Sequence, residues 1–214
     1  MELIAHRGDN RTFHENTRAA FDSAIARGFR ALELDLVRLG DGTVVIFHDF
    51  DLLRQFQKQD HIREIGLRRF REVFPDLLTF PEFHELYAGR PEIWINFEIK
   101  DDIHTFHAIR ASLRDFPGAV VSSFEHHIVD EAILHGFEGA YLLRELEEPP
   151  ASTILGDRLH VPIEPGTDLS LLEDLEDYDL YCYTVNDPEL VERLGAYPCV
   201  KGVFTDDASF ARLN

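Results

Sequence analysis

The sequence predicts a small (β/α)8 barrel, an α/β fold in a single domain. Three observations carry that prediction. Short apolar, β-branched runs alternate with amphipathic segments of helical length through the whole chain, and such alternation builds a parallel sheet with right-handed crossovers. Polar and charged residues recur at the C-terminal ends of those runs, the face that holds the active site in barrels. The 214 residues suit one domain, and no linker, low-complexity tract or internal repeat divides them. A doubly wound open sheet is the alternative arrangement of the same elements.

The elements follow in order. Leu3–Arg7 reads as the first strand and Asn16–Arg27 as a helix with Ala, Phe and Ile on one face. Ala31–Arg38 is a strand, Asp41-Gly42 a tight-turn signal, and Thr43–Asp49 an extended return. Residues 51–79 are polar, basic and irregular, expected as a small insertion with a short helix around Leu67–Val73. A short helix is expected over Pro81–Ala88. Glu92–Lys100 is a strand, Ile103–Arg114 a helix, Ala119–Phe124 a strand, His127–His135 a helix and Gly139–Leu143 a strand. The acidic, Pro-containing stretch 145–153 reads as loop. His160–Ile163 is a strand, Leu169–Leu175 a helix, Leu180–Val185 a strand, and Pro188–Leu194 a helix with Pro in its first turn. Val200–Phe204 is the last strand, before a terminal helical turn. Counting 31–38 and 44–47 as one unit, this makes eight strands.

Bulk properties exclude several classes. The 40 acidic against 21 basic residues leave a net charge of −19. Nucleic acid and anionic membrane both need a basic face, so neither is expected as partner. A bound cation would locally reverse the repulsion of an anionic substrate. Cys182 and Cys199 do not form a disulfide framework and read as plain thiols. No apolar run approaches transmembrane length, and the N-terminus lacks a signal-peptide pattern, so no stable membrane insertion and a cytoplasmic location are expected. The sequence carries no signal of oligomeric state.

The chemistry concentrates in His6-Arg7-Gly8, Glu15-Asn16-Thr17, Glu33-Leu34-Asp35, His48-Asp49 and Glu98-Ile99-Lys100. Glu33 and Asp35 are two apart on a strand and share a face, as do Glu98 and Lys100. Three carboxylates converging inside a barrel repel one another unless a cation joins them. Their hard oxygens suit Mg²⁺, Ca²⁺ or Mn²⁺ rather than zinc. His6 and His48 form the natural proton-transfer pair, because histidine titrates near neutrality. Arg7 and Lys100 supply fixed positive charge for a phosphate. The other nine histidines, His160 among them, are expected mostly in loops or helices and show no zinc spacing. Ser122-Ser123, Glu164, Asn186 and Thr205-Asp206 also fall at strand ends.

These motifs together resemble the glycerophosphodiester phosphodiesterase family. His6-Arg7-Gly8 resembles its opening HRG, and Glu15-Asn16-Thr17 with Ala20-Phe21, Ala24 and Gly28 resembles its ENT block and following helix. Glu33-Leu34-Asp35 resembles its ExD, and Asp41-Gly42, Val45 and His48-Asp49 its DG…V…HD. Glu98-Ile99-Lys100 is similar to its ExK strand, Ser122-Ser123-Phe124 to SSF, Thr184-Val185-Asn186 to TVN, and Gly202-Val203-Phe204-Thr205-Asp206 to its closing block. The blocks run in order from residue 3 to 207. The resemblance implies a (β/α)8 barrel holding one divalent cation through Glu33, Asp35 and Glu98, with His6 and His48 as acid/base pair and Arg7 and Lys100 on the phosphate. It implies hydrolysis of a small-molecule glycerophosphodiester to an alcohol and glycerol 3-phosphate, with water or the glycerol 2-hydroxyl as first nucleophile.

The chain departs from the family pattern in four places. His14 stands where Pro is usual, Tyr183 where Trp is usual, and Asp207-Ala208 lacks the usual Pro. The segment after His48 carries Arg54-Gln55-Phe56. These departures leave the proposed metal and proton-transfer residues intact and bear on the choice of alcohol. Phe124 and Tyr183 are the expected pocket-lining residues. With Phe13, Phe50 and Phe56 they could instead line an acyl groove, giving a lysophospholipase D-like enzyme. A barrel that binds a phosphorylated metabolite without turning it over is the non-catalytic alternative.

Overall fold

A computed structural model describes residues 1–146 and 155–213. Nine strands form one sheet: β1 (Glu2–Ala5), β2 (Ala31–Arg38), β3 (Val44–Ile46), β4 (Trp94–Ile99), β5 (Val120–Ser123), β6 (Glu138–Leu142), β7 (Arg158–Pro162), β8 (Asp179–Tyr183) and β9 (Val200–Thr205). Eight are parallel, in the order β1-β9-β8-β7-β6-β5-β4-β2, and β1 pairs with β2 to close the barrel. β3 lies outside it, antiparallel on the far end of β2, through the Asp41-Gly42 turn that the sequence marks. Most of the expected 145–153 loop lies outside the described residues. No helix among the described residues is long and apolar enough to cross a membrane.

The helices are α1 (Arg18–Arg27), α2 (Leu53–Phe56), α3 (Leu67–Val73), α4 (Phe80–Tyr87), α5 (Ile103–Leu113), α6 (His126–Leu134) and α7 (Pro188–Leu194). Caps explain several boundaries. Asn16 has φ +59° and so cannot start a helix; Thr17 caps α1 from the extended region, accepting from the Ala20 amide. Thr79 and Glu82 form a reciprocal capping box at α4. β1 stops at Ala5, earlier than expected, because Arg7 (φ +56°) and Gly8 (φ +82°) turn the chain. A Cβ on Gly8 would meet the Ala20 backbone at 2.6 Å, so α1 packs there only against glycine. Leu169–Leu175 is a 3₁₀ helix, not the α-helix expected. Its buried Leu169, Leu172 and Leu175 repeat every three residues, which matches the 3₁₀ period.

Two apolar bodies surround the barrel wall. The larger lies between strands and helices. Residues 51–79 are more ordered than expected: α2, a 3₁₀ turn at Ile62–Glu64 and α3 pack on their own small core of Val37, Val45, Phe47, Leu52, Ile62 and Phe70. A third cluster fills the barrel interior, where Ile4, Ala31, Tyr181 and Phe204 pack with Trp94. Arg158 closes its N-terminal end, with its guanidinium carbon 4.4 Å from the Tyr181 ring centre and 5.6 Å from that of Trp94. A Cβ on Gly202 would come within 2.6 Å of the Tyr181 ring, so glycine there makes room for the plug. Above the plug the interior turns polar.

Candidate active site

Register places the charged residues in one layer. Asp35 pairs with Glu98 across β2 and β4, and Glu33 pairs with Asn96 one step lower. Parallel partners point to the same side, so all four face the barrel interior. Glu33, Asp35 and Glu98 are buried, and each offers an oxygen within 4.8 Å of the others. Two of their oxygens, Glu33 Oε1 and Asp35 Oδ1, are buried without a hydrogen-bond donor among the described residues. Buried carboxylate oxygens are normally satisfied. The orphaned pair and the all-oxygen donor set therefore fit a hard divalent cation. Burial, then repulsion from Asp35 and Glu98, pushes the Glu33 carboxyl well above its ordinary value. Burial acts the same way on Asp35, but Arg7, Lys100, His48 and the Asn16 amide outweigh it and hold Asp35 far below the usual range.

The basic residues are partly engaged by those carboxylates. The Arg7 amide donates to Glu33 Oε2 at 2.9 Å, a contact that its left-handed backbone makes possible. Its Nε lies 3.0 Å from Asp35 Oδ2, close enough for an ion pair but off line for a hydrogen bond. Its Nη1 donates to Glu15 Oε1 at 3.2 Å. Lys100 Nζ donates to Glu98 Oε1 at 2.6 Å and lies 3.7 Å from Asp35 Oδ1. Burial would lower the Lys100 pKa, but Glu98 and Asp35 raise it, so the ammonium stays charged.

Each proposed proton-transfer histidine is anchored through Nδ1. His6 Nδ1 is 2.7 Å from Asp206 Oδ1, and its Nε2 is 3.9 Å from Glu33 Oε2. Asp206 also accepts from Asn10 at 2.6 Å and from Asn186 at 2.8 Å. Those bonds and His6 outweigh burial and keep Asp206 ionised. A carboxylate can only accept, so the proton sits on Nδ1 and Nε2 is free to face the carboxylate cluster. His48 repeats the arrangement: Nδ1 is 2.7 Å from Asp49 Oδ1. Asp49 Oδ2 in turn accepts from Arg54 Nε at 2.7 Å and Gln55 Nε2 at 3.1 Å. Gln55 also donates to Glu15 at 3.0 Å, so α2 ties the loops carrying Arg7 and His48 together.

A cavity of about 220 Å³ opens on this layer, and His6, Arg7, Glu33, His48, Glu98 and Lys100 all line it. Phe124 and Tyr183 form part of its wall, ring to edge with centres 6.4 Å apart. Of the other aromatic candidates, Phe13 and Phe50 are exposed, and Phe56 packs on Phe47 and Phe74 in the 51–79 core. A larger surface groove, about 720 Å³, lies between α1 and residues 71–82 but contains none of the charged cluster.

The sequence marks several further residues without giving them a role. Asp206 acts on His6 from 200 residues away, beyond any local spacing signal. Asn16 donates to Asp35 at 2.9 Å. His160, which opens the expected His160–Ile163 strand but is given no place in the site by the sequence, is buried on β7, faces the interior and lines the cavity with Asn96. The alternation Arg158, His160, Pro162 along β7 is the signal that places it inward.

Comparison with known proteins bears on the family and the fold. A glycerophosphodiester phosphodiesterase of Caldanaerobacter subterraneus subsp. tengcongensis is 24% identical over 201 residues, covering 89% of this chain and 79% of that protein. The crystal structure of the Thermotoga maritima glycerophosphodiester phosphodiesterase superposes with a TM-score of 0.81 at 27% identity, covering 99% of this chain and 97% of that one. An Oleispira antarctica phosphodiesterase, solved in complex with the product sn-glycerol-3-phosphate, shares the fold with a TM-score of 0.83 at 23% identity, over 100% and 96% of the two chains. The model of the glycerophosphoryl diester phosphodiesterase family matches residues 6–118, more than half of the sequence, and the chain belongs to that family.

Proposed function

We propose that this protein hydrolyses a glycerophosphodiester to an alcohol and glycerol 3-phosphate, with one divalent cation, Mg²⁺ or Ca²⁺ (or Mn²⁺), held by Glu33, Asp35 and Glu98. The observation that carries the reading is the convergence of three buried carboxylates, two of whose oxygens lack any donor, beside two carboxylate-anchored histidines in one cavity. When bound, the cation supplies Lewis-acid polarisation of a phosphoryl oxygen and a template for the diester. Arg7 and Lys100 hold the phosphate and absorb the charge that develops on its oxygens. They share that role with the carboxylates they already contact, so phosphate entry redistributes existing ion pairs.

His6 and His48 move the protons. One Nε2 takes the proton from the attacking oxygen as its bond to phosphorus forms. The other histidine, carrying a proton on each ring nitrogen, gives its Nε2 proton to the alkoxide as the bond to the leaving alcohol breaks. Asp206 and Asp49 accept from Nδ1 of the two rings and keep each Nε2 available for proton transfer. The Phe124–Tyr183 wall borders the space for the alcohol. The small cavity and the outward placement of Phe13 and Phe50 favour a compact alcohol over a long acyl chain. Two free, buried thiols suit a reducing compartment such as the cytoplasm.

The test is release of glycerol 3-phosphate from glycerophosphocholine and glycerophosphoethanolamine by the wild type and by His6→Ala and His48→Ala. Each variant is expected to lose roughly 10²- to 10⁴-fold in kcat with thermal stability near the wild-type value. Near-normal turnover in either variant would remove that histidine from the mechanism.

A further inference from the structure

The cavity is also lined by two polar tips that no group among the described residues satisfies, one of them on Asn96, level with Glu33 and one register step below Asp35 and Glu98. Asn96 is 1% exposed and His160 is 2% exposed, and both line the cavity. Asn96 Nδ2 donates to Ser122 Oγ at 2.9 Å, but Asn96 Oδ1 has no partner. His160 Nε2 has none either. The His160 ring is braced by Phe204 and Tyr181, with centres 4.7 and 5.7 Å away, so it cannot swing out to find water. Leaving a buried polar group unmade costs about 1–3 kcal/mol. Two such groups at the bottom of one cavity indicate a ligand that satisfies them.

We propose that Asn96 and His160 form a hydroxyl-reading floor that receives the glyceryl end of the diester, an assignment that rests on the phosphodiesterase reading of the same cavity. The chemistry selects that end. Burial, aided by nearby Arg158, drives the His160 pKa far below its ordinary value, so the ring is neutral. A neutral imidazole and an amide oxygen suit hydroxyl groups, and neither carries the positive charge that would draw a phosphate. The phosphate therefore stays one layer higher with Arg7 and Lys100. Leu142 and Phe204 flank the floor and suit the carbon chain of a short polyol. At about 220 Å³ the cavity exceeds the roughly 30 Å³ share of one water, so it has room for more than a structural water. Substrate choice at this end follows from the floor, because a site built to hydrogen-bond a hydroxyl rejects analogues that lack it.

The test is calorimetric titration with sn-glycerol 3-phosphate and, separately, inorganic phosphate, in the same Mg²⁺ buffer. Wild type, His160→Leu, His160→Gln and Asn96→Leu are compared, each checked for folding by thermal denaturation. The wild type is expected to prefer glycerol 3-phosphate. That preference should shrink about 10- to 100-fold in His160→Leu, and less in His160→Gln, which keeps a polar tip. Asn96→Leu should lose preference independently, which covers the case in which His160→Leu does not fold. A preference unchanged in folded His160→Leu or Asn96→Leu overturns the floor, as does a wild type that shows no preference. Failure of the phosphodiesterase reading would instead appear as a wild type that turns over no glycerophosphodiester.

Discussion

Single residues in this barrel do work that their sequence neighbours do not reveal. Asp206 fixes the tautomer of His6 and has no part in the carboxylate cluster. Asp206→Asn should therefore lower kcat about 10- to 100-fold through a misoriented ring, while steady-state cation affinity stays close to wild type. Equal loss of cation affinity and turnover would contradict that division of labour. His160 sets a pH dependence whose sign is fixed. Its folded pKa lies below its unfolded value, so the unfolded state binds more protons once the pH falls below about 6.5. Stability then drops as the pH falls through that value. Urea denaturation at pH 7 and pH 5 should show that His160→Leu removes a loss on the order of 1–2 kcal/mol; an identical loss in wild type and variant would contradict it. The residue types themselves were largely legible. Glu33, Asp35 and Glu98 on strands, and His6 and His48 just past strand ends, stand where polar side chains suit a site, and all line or adjoin one cavity. The partners of Asp206 and Asn16, residues the sequence marks only as parts of motifs, were not, because pairing of β1 with β9 and β2 is what brings each into contact.

At the scale of elements, periodicity located most of the chain and misjudged it where packing chose the detail. The bounds of α3 and α7 follow directly from their apolar spacing and, for α7, from Pro188 in the first turn. Leu169–Leu175 was read with a helical period although its leucines sit three apart, and the structure resolves the ambiguity as 3₁₀. The 51–79 segment looked irregular because its apolar residues are scattered, and only the hairpin of β2 and β3 gathers them into a core. That insertion has a consequence for the site. Arg54 of α2 donates to Asp49 at 2.7 Å and also pairs with Glu15, the partner of Arg7. With its side chain half exposed, Arg54 contributes at most about 1 kcal/mol to stability. Arg54→Ala is therefore expected to change the melting temperature little and to lower kcat/KM about 10-fold, since both proton transfer and phosphate binding lose a shared brace. Unchanged kcat/KM would show that α2 is only a cover. Arg54→Lys should rescue part of the loss through charge but not the paired contacts of the guanidinium.

For the molecule as a whole, the barrel separates functions by depth. Arg158, Trp94 and Tyr181 plug the N-terminal end, Asn96 and His160 form a polar middle, and the carboxylates, histidines, Arg7 and Lys100 sit toward the C-terminal ends of the strands. The chain carries a net charge of −19, so an anionic diester approaches against the overall field. A cation on Glu33, Asp35 and Glu98, as proposed, would reverse that field locally and satisfy the two orphaned oxygens at the same time. Metal dependence is thus the claim on which the rest of the account depends. The measurement that tests it most directly is release of glycerol 3-phosphate from glycerophosphoethanolamine by the folded wild type, before EDTA, after EDTA, and after Mg²⁺ or Ca²⁺ is added back. EDTA is expected to abolish release, either Mg²⁺ or Ca²⁺ to restore it, and neither ion to restore it in Glu33→Gln or Asp35→Asn. Release that persists in EDTA, or that is restored equally in those variants, would contradict that expectation.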